Sequence, residues 1–168
     1  MNTILPRLKT LVVDNKASAG ALSYIGSVEV IHPDLMLTTI FLPTLPKICF
    51  WPVKTSESWI ASQRKQAVNL VSAYLIMKYL TRETSIIGDS TRPAGEGKGI
   101  TNFVVDFLSV VRGTRLAVAG ANYLDKPLDI SSVSYSNSSI SDDAHILIAQ
   151  VDMVAQRLFT QQTLPGDI

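Results

Sequence analysis

Two long apolar stretches, residues 66–79 and 144–159, constrain this chain more than any other feature. Ala67 to Leu80 is broken by Asn69, Ser72 and Lys78 and is too short to cross a bilayer as a helix. Its composition pulls both ways. Leucine, alanine and methionine favour helix, whereas Val68, Val71, Tyr74, Ile76 and Tyr79 favour strand. Val68, Leu70, Ser72, Tyr74 and Ile76 alternate on one face, which predicts a long strand. In the second stretch strand and helix compete again, and the turn chemistry of 138–143 predicts a strand returning from a hairpin. Its partner is 131–141, where Val133 and Tyr135 alternate with serines as on a strand with one wet face.

Helical spacing is confined to two segments. Ile4, Leu5, Leu8, Leu11 and Val12 recur on one face, with Pro6 in the first turn, where its missing N–H costs nothing; this predicts a helix over 3–14. Thr101 is placed to cap a second helix, 101–112, carrying Val104, Val105, Phe107, Leu108 and Val111 and ended by Gly113. Val105 and Leu108 are expected in the core. Between the helices, 23–31 reads as a strand or extended arm. Residues 33–52 hold Pro33, Pro43, Pro46 and Pro52, which exclude a helix and predict an extended excursion ending in a strand at Lys47–Val53. Pro43 and Pro46 formally fit a polyproline ligand, but a loop is the expectation. The sum is a single α+β domain over 1–168: an antiparallel or mixed sheet with two main helices on one face, a proline-rich extended segment and a long C-terminal hairpin.

Hydrophobic residues are 46% of the 168, which excludes a disordered chain, and charged residues only 17%, against about 25% in soluble domains. So little charge suggests that another chain covers part of the surface. Cys49 is the one cysteine and excludes an internal disulfide, and His32 and His145 are too few for a histidine-rich metal site. With Arg7, Lys9, Asp14 and Lys16 near its start, the chain is expected to lack a signal peptide and to be a soluble protein of a reducing compartment. Charge is unevenly spread. Residues 47–115 hold ten bases and five acids, whereas 116–168 hold two bases and six acids. The sharper reading of that split is a head-to-tail subunit contact between basic and acidic parts. Nucleic acid is a weaker reading, because no dense basic run or interleaved aromatic motif supports it.

Catalytic motifs are incomplete. Gly97-Lys98 is followed by Gly99 rather than serine or threonine, and Arg92 stands where a phosphate loop needs its first glycine, so 88–99 reads as a flexible surface loop. Gly88-Asp89-Ser90, Gly120-Ala121-Asn122 and Asp142 with His145 resemble, in order, the nucleophile, oxyanion and acid–base blocks of GDS-type esterases and lipases. The compressed spacing between Ser90 and His145, and the poor strand at 84–87, argue against a hydrolase. His32 beside Pro33 reads as an ordinary loop imidazole, and Cys49, Phe50 and Trp51 as packing residues. Trp59, in a polar context, is the candidate interface anchor. Arg92 and Lys98 facing Asp142 and Asp143 of a neighbouring subunit are the candidate charge pairs.

The order of elements, carried by 5–13, 45–53, 99–111 and 126–130 leading into the final hairpin, resembles the tail-terminator (tail-completion) proteins of long-tailed bacteriophages and, more loosely, related neck proteins. The proline-rich segment departs from the compact members of that family. The resemblance implies a virion protein, assembled in the host cytoplasm, whose homohexameric ring seals the tail tube and receives the neck. The implied partners are further copies of itself, the tail tube protein, possibly the sheath, and a neck or head-completion protein. DNA would be met only through the ring lumen, and no membrane is involved. The resemblance implies no catalytic residue, cofactor or metal. The readings from other classes are the small serine hydrolase and a free-standing binding module.

Overall fold

A computed structural model describes residues 4–17, 20–32, 35, 45–61, 63–78, 84–88, 91, 97–117, 120–141 and 144–160. Its elements are α1 (Ile4–Ala17), β1 (Ser27–Val30), β2 (Lys47–Ala61), β3 (Arg64–Lys78), the single turn α2 (Thr84–Ile87), α3 (Ile100–Val111), β4 (Asp129–Ser141) and β5 (Ala144–Thr160). The strands form one mixed sheet in the order β1-β2-β3-β5-β4, parallel only between β1 and β2, so the fold is α+β. Most of the proline-rich segment, and residues 142–143 between β4 and β5, lie outside the described residues.

Both apolar stretches of ambiguous composition are strands. Their alternation divides them between two unlike faces. Val71, Ala73, Leu75 and Met77 of β3 and Ala149, Val151, Met153 and Ala155 of β5 join Ile48 and Phe50 in the main core. Against them lie Ile4, Leu8 and Val12 of α1 and Phe103, Phe107 and Val111 of α3, so both main helices cover the same face. Helix α1 runs on to Ala17, past the expected end, and its Lys16 Nζ donates to the Gly26 carbonyl at 2.7 Å. Between α1 and β5, Tyr123 lies under the Arg7 and Arg157 guanidiniums, at 4.0 and 4.2 Å from its ring centre.

Helix α3 corrects two expectations. Gly99 is its N-cap and Thr101 lies within the first turn, where its hydroxyl donates to the Ile86 carbonyl at 2.6 Å. Val105 is 65% exposed, because Phe103, Val104, Phe107 and Val111 define the inward face; Leu108 packs at the margin of the core. Gly97 and Gly99 are buried, so the end of the glycine segment is packed rather than a free surface loop, whereas Thr91 is exposed. A Cβ on Gly99 would stand 2.4 Å from the Gly88 nitrogen and the Ile86 carbonyl oxygen. Glycine is required here by the close crossing of two backbones.

Strand β2 does not stop near Pro52 but continues to Ala61. Its register shifts between Pro52 and Lys54, just after β1 ends at the Val30–Phe50 pair. A bulge where the outer neighbour has ended tolerates a residue that cannot donate to the ladder. Beyond it, β2 is exposed on both faces from Val53 to Ala61. At strand rise, those nine residues make an arm about 30 Å long.

Candidate functional site

The sheet face turned away from the helices has no helix over it among the described residues. Its β2 end carries a small apolar cluster of Cys49, Ile76, Ile146 and Ile148 with Ile31, Leu45 and Tyr74 against it. Burial first, then the Glu29 charge, push the Cys49 thiol up to about 12, with Lys47 opposing. His32 is exposed and meets Trp51 edge to face, with ring centres 4.3 Å apart.

Next to this cluster the face opens into a groove of about 400 Å³ with Trp51, Leu70, Tyr74 and Asp152 in its walls and Ser72 among them. The ladders place Trp51, Ser72, Asp152 and Ser132 in one row across four strands. Three neutral donors hold the Asp152 carboxylate: Ser72 Oγ at 2.5 Å, Ser132 Oγ at 2.7 Å and Gln150 Nε2 at 2.9 Å. Burial alone would raise its pKa, but those hydrogen bonds outweigh it and hold the carboxyl below its ordinary value. Burial and then the Asp152 charge push the Tyr74 hydroxyl up. Among the described residues no cation pairs with Asp152. Sequence reading misses this cluster, because its members lie far apart in the chain. The one available signal is the placement of Ser72, Gln150 and Asp152 among apolar residues in segments read as strands.

The arm carries Trp59, which is 58% exposed, with Val53 and Ile60 exposed to a similar degree. Trp59, expected in a polar loop, lies instead on β2 opposite Lys65. Lys65 Nζ sits 4.6 Å from its ring centre and 3.8 Å from the Glu57 carboxylate. Such cross-strand contacts order the ring without covering it.

Lys98, the one charge candidate among the described residues, is engaged within its own chain. Its ammonium pairs with Asp106 of α3 and lies 5.0 Å from the Tyr24 ring centre, while Tyr24 donates its hydroxyl to the same carboxylate at 2.9 Å. Burial, then Asp106, push the Tyr24 hydroxyl well above its usual range. This clasp joins the segment before β1 to α3 and engages Lys98 within its own chain. Arg92, Asp142 and Asp143 lie outside the described residues.

The esterase constellation does not converge. Ser90 and Asp142 are also outside the described residues, but the remaining members can be placed. His145 pairs with Ser139 near one end of β5, whereas the Asp125 N–H bonds to the Gln156 carbonyl toward the other. Residues 145 and 156 are separated by about 36 Å of strand. Asn122, three residues from Asp125, can close only about 10 Å of that distance. No group of three or more metal-ligating side chains occurs among the described residues, and no helix among them is long and apolar enough to cross a membrane.

Among the described residues, both long sides of the sheet are open. β1 covers β2 only from Lys47 to Phe50, and β4, the opposite edge, has no outer neighbour among the described residues. Compared with known proteins, the chain matches no protein-family model and no curated sequence.

Proposed function

We propose that this chain is a structural assembly subunit that closes into a homo-oligomeric ring, of the kind that terminates the tail tube of a long-tailed bacteriophage and receives the neck. The observation that carries this reading is the pair of edges with no outer neighbour among the described residues, on opposite sides of one sheet, β2 from Trp51 to Ala61 and β4 from Asp129 to Ser141. An open edge is a row of unused donors and acceptors, and a long serine-rich one without proline or interior charge does nothing to repel another strand. Because β2 and β4 run in opposite directions, β4 of one copy can continue antiparallel into β2 of the next. That contact joins two different patches, so repetition around an axis closes a ring. The tail tube, possibly a sheath, and a neck or head-completion protein are the partners of such a ring, with DNA passing only through its lumen.

Sedimentation and negative-stain imaging test this reading, with and without phage tail tubes. A discrete ring, or one formed on tube ends, is the expected result. A strictly monomeric chain at high concentration and in the presence of tubes would overturn it.

A further inference from the structure

We propose that Asp152, in its cradle of Ser72, Gln150 and Ser132, is the docking point for Lys54 of a second copy of this chain. The inference rests on the ring reading and adds to it a specific charged contact. Asp152 is a partly buried, ionised carboxylate with three neutral hydrogen bonds and no cation among the described residues. Hydrogen bonds keep the charge in place but do not cancel it, so the site attracts a cation brought from outside.

Lys54 is the complementary group. It opposes Leu70 in the ladder and therefore lies on the same uncovered face, exposed at the base of the arm, with no acidic partner among the described residues. Within one chain the β3 side chains Leu70 and Ser72 stand between Lys54 and Asp152, and no ion pair forms. Across the β4 edge the situation differs. One strand again lies between, but its residues on this face are all small, Ser132, Ser134, Ser136 and Ser138, opposite Asp152, Gln150, Ile148 and Ile146, whereas within its own chain Lys54 faces Leu70. Neighbouring strands lie about 4.8 Å apart, so an added strand would run about 10 Å from β5, a span that an extended lysine reaching over the small Ser132 and the Asp152 side chain cover between them. Lys54 falls about one ladder step from the row containing Asp152. A stagger of two residues aligns them, and closing a sheet requires stagger of this kind.

The wider charge distribution agrees. The arm and its β3 partner strand carry Lys54, Arg64, Lys65 and Lys78 against Glu57, whereas β4 and β5 carry Asp129 and Asp152 against Arg157. The basic-to-acidic contact expected from composition is thereby moved from the glycine segment to the arm.

The test is a charge-reversal cycle read by sedimentation equilibrium at several salt concentrations. Lys54→Glu sits on the exposed arm and leaves the core intact; it should weaken self-association about tenfold and flatten its salt dependence. Asp152→Lys should weaken association similarly, and Lys54→Glu with Asp152→Lys in one chain should recover most of the loss. Asp152→Asn, with its thermal midpoint recorded, separates lost association from lost folding. If the native chain assembles and Lys54→Glu assembles equally well, the pairing is wrong while the ring stands. The pairing is equally wrong if Asp152→Asn dissociates the ring but Lys54→Glu does not, because Asp152 then binds some other cation. Failure of the double reversal to recover what both single changes lose also overturns it. A native chain that never associates removes the ring reading itself.

Discussion

The Lys47 ammonium lies 3.0 Å from the Glu29 carboxylate, joining adjacent parallel strands, and the Lys47 side chain is wholly buried whereas that of Glu29 is 32% exposed. Beneath the pair is Cys49, the residue opposite Glu29 in the ladder, with its thiol pushed up to about 12. β1 has only four residues, and this contact adds to its ladder with β2 and its buried Val28 in holding it to the sheet.

The asymmetry in exposure predicts an asymmetry in cost. Glu29→Gln removes the carboxylate that lies 3.0 Å from a wholly buried ammonium and should destabilise by up to about 3 kcal/mol. Lys47→Met leaves a carboxylate that water still reaches, and should cost less than about 1 kcal/mol. Urea denaturation of both variants checks the order; a larger loss for Lys47→Met would show that the pair is not what retains β1.

On α3, two apolar residues two positions apart should behave oppositely. Val105→Asp places a charge on a side chain that is 65% exposed, and should change stability by no more than about 0.5 kcal/mol. Phe107→Ala empties a fully buried position and should cost about 3–5 kcal/mol. Thermal midpoints measured side by side decide; comparable losses would mean that the inward face of α3 is misassigned.

Gly99 and Gly113 separate close approach from backbone conformation. Gly113 has φ +74° and open space where a methyl group would be added, whereas at Gly99 backbone atoms stand 2.4 Å from that position. Gly113→Ala should cost about 1 kcal/mol, through its left-handed backbone alone. Gly99→Ala must part α2 from α3 and should cost more. The comparison is a denaturant midpoint for each, and equal midpoints would refute the close crossing.

Acid should expose the cradle. The Asp152 carboxyl is held below its ordinary value of 3.8 when folded, so its contribution to stability is complete above that value and is lost as pH falls through the lower folded one. Asp152→Asn should therefore lose stability at neutral pH and fall less steeply than the native chain below pH 3.8. Parallel unfolding curves at all acidic pH values would show that the carboxylate draws nothing from Ser72, Gln150 and Ser132.

Periodicity is legible where a single face decides the pattern. Ile4, Leu8 and Val12 mark α1, and a two-residue period marks β3 against its mixed composition. But the face read from the sequence, Val68, Leu70, Ser72, Tyr74 and Ile76, is the one turned from the helices, and the main core takes Val71, Ala73, Leu75 and Met77 of the other. Spacing misplaces Val105, because eight apolar residues in a twelve-residue helix do not say which of them face outward. Only the direction of the sheet decides that. Trp59 is recognisable as exposed but not as part of a strand, since its polar neighbours Ser56, Glu57 and Ser58 are those of a loop and also those of an arm wet on both sides.

Sequence by itself determined the two main helices, the long strands β3, β4 and β5 and the α+β class, all of which follow from short-range spacing and the need to bury one face. Tertiary structure alone decided which faces and edges stay uncovered, that Lys98 turns to Asp106, and that Ser72, Gln150 and Ser132 converge on Asp152. Those relations depend on strand order and register. Residues 72, 132 and 152 become neighbours only when β5 enters between β3 and β4, and no local pattern encodes that insertion.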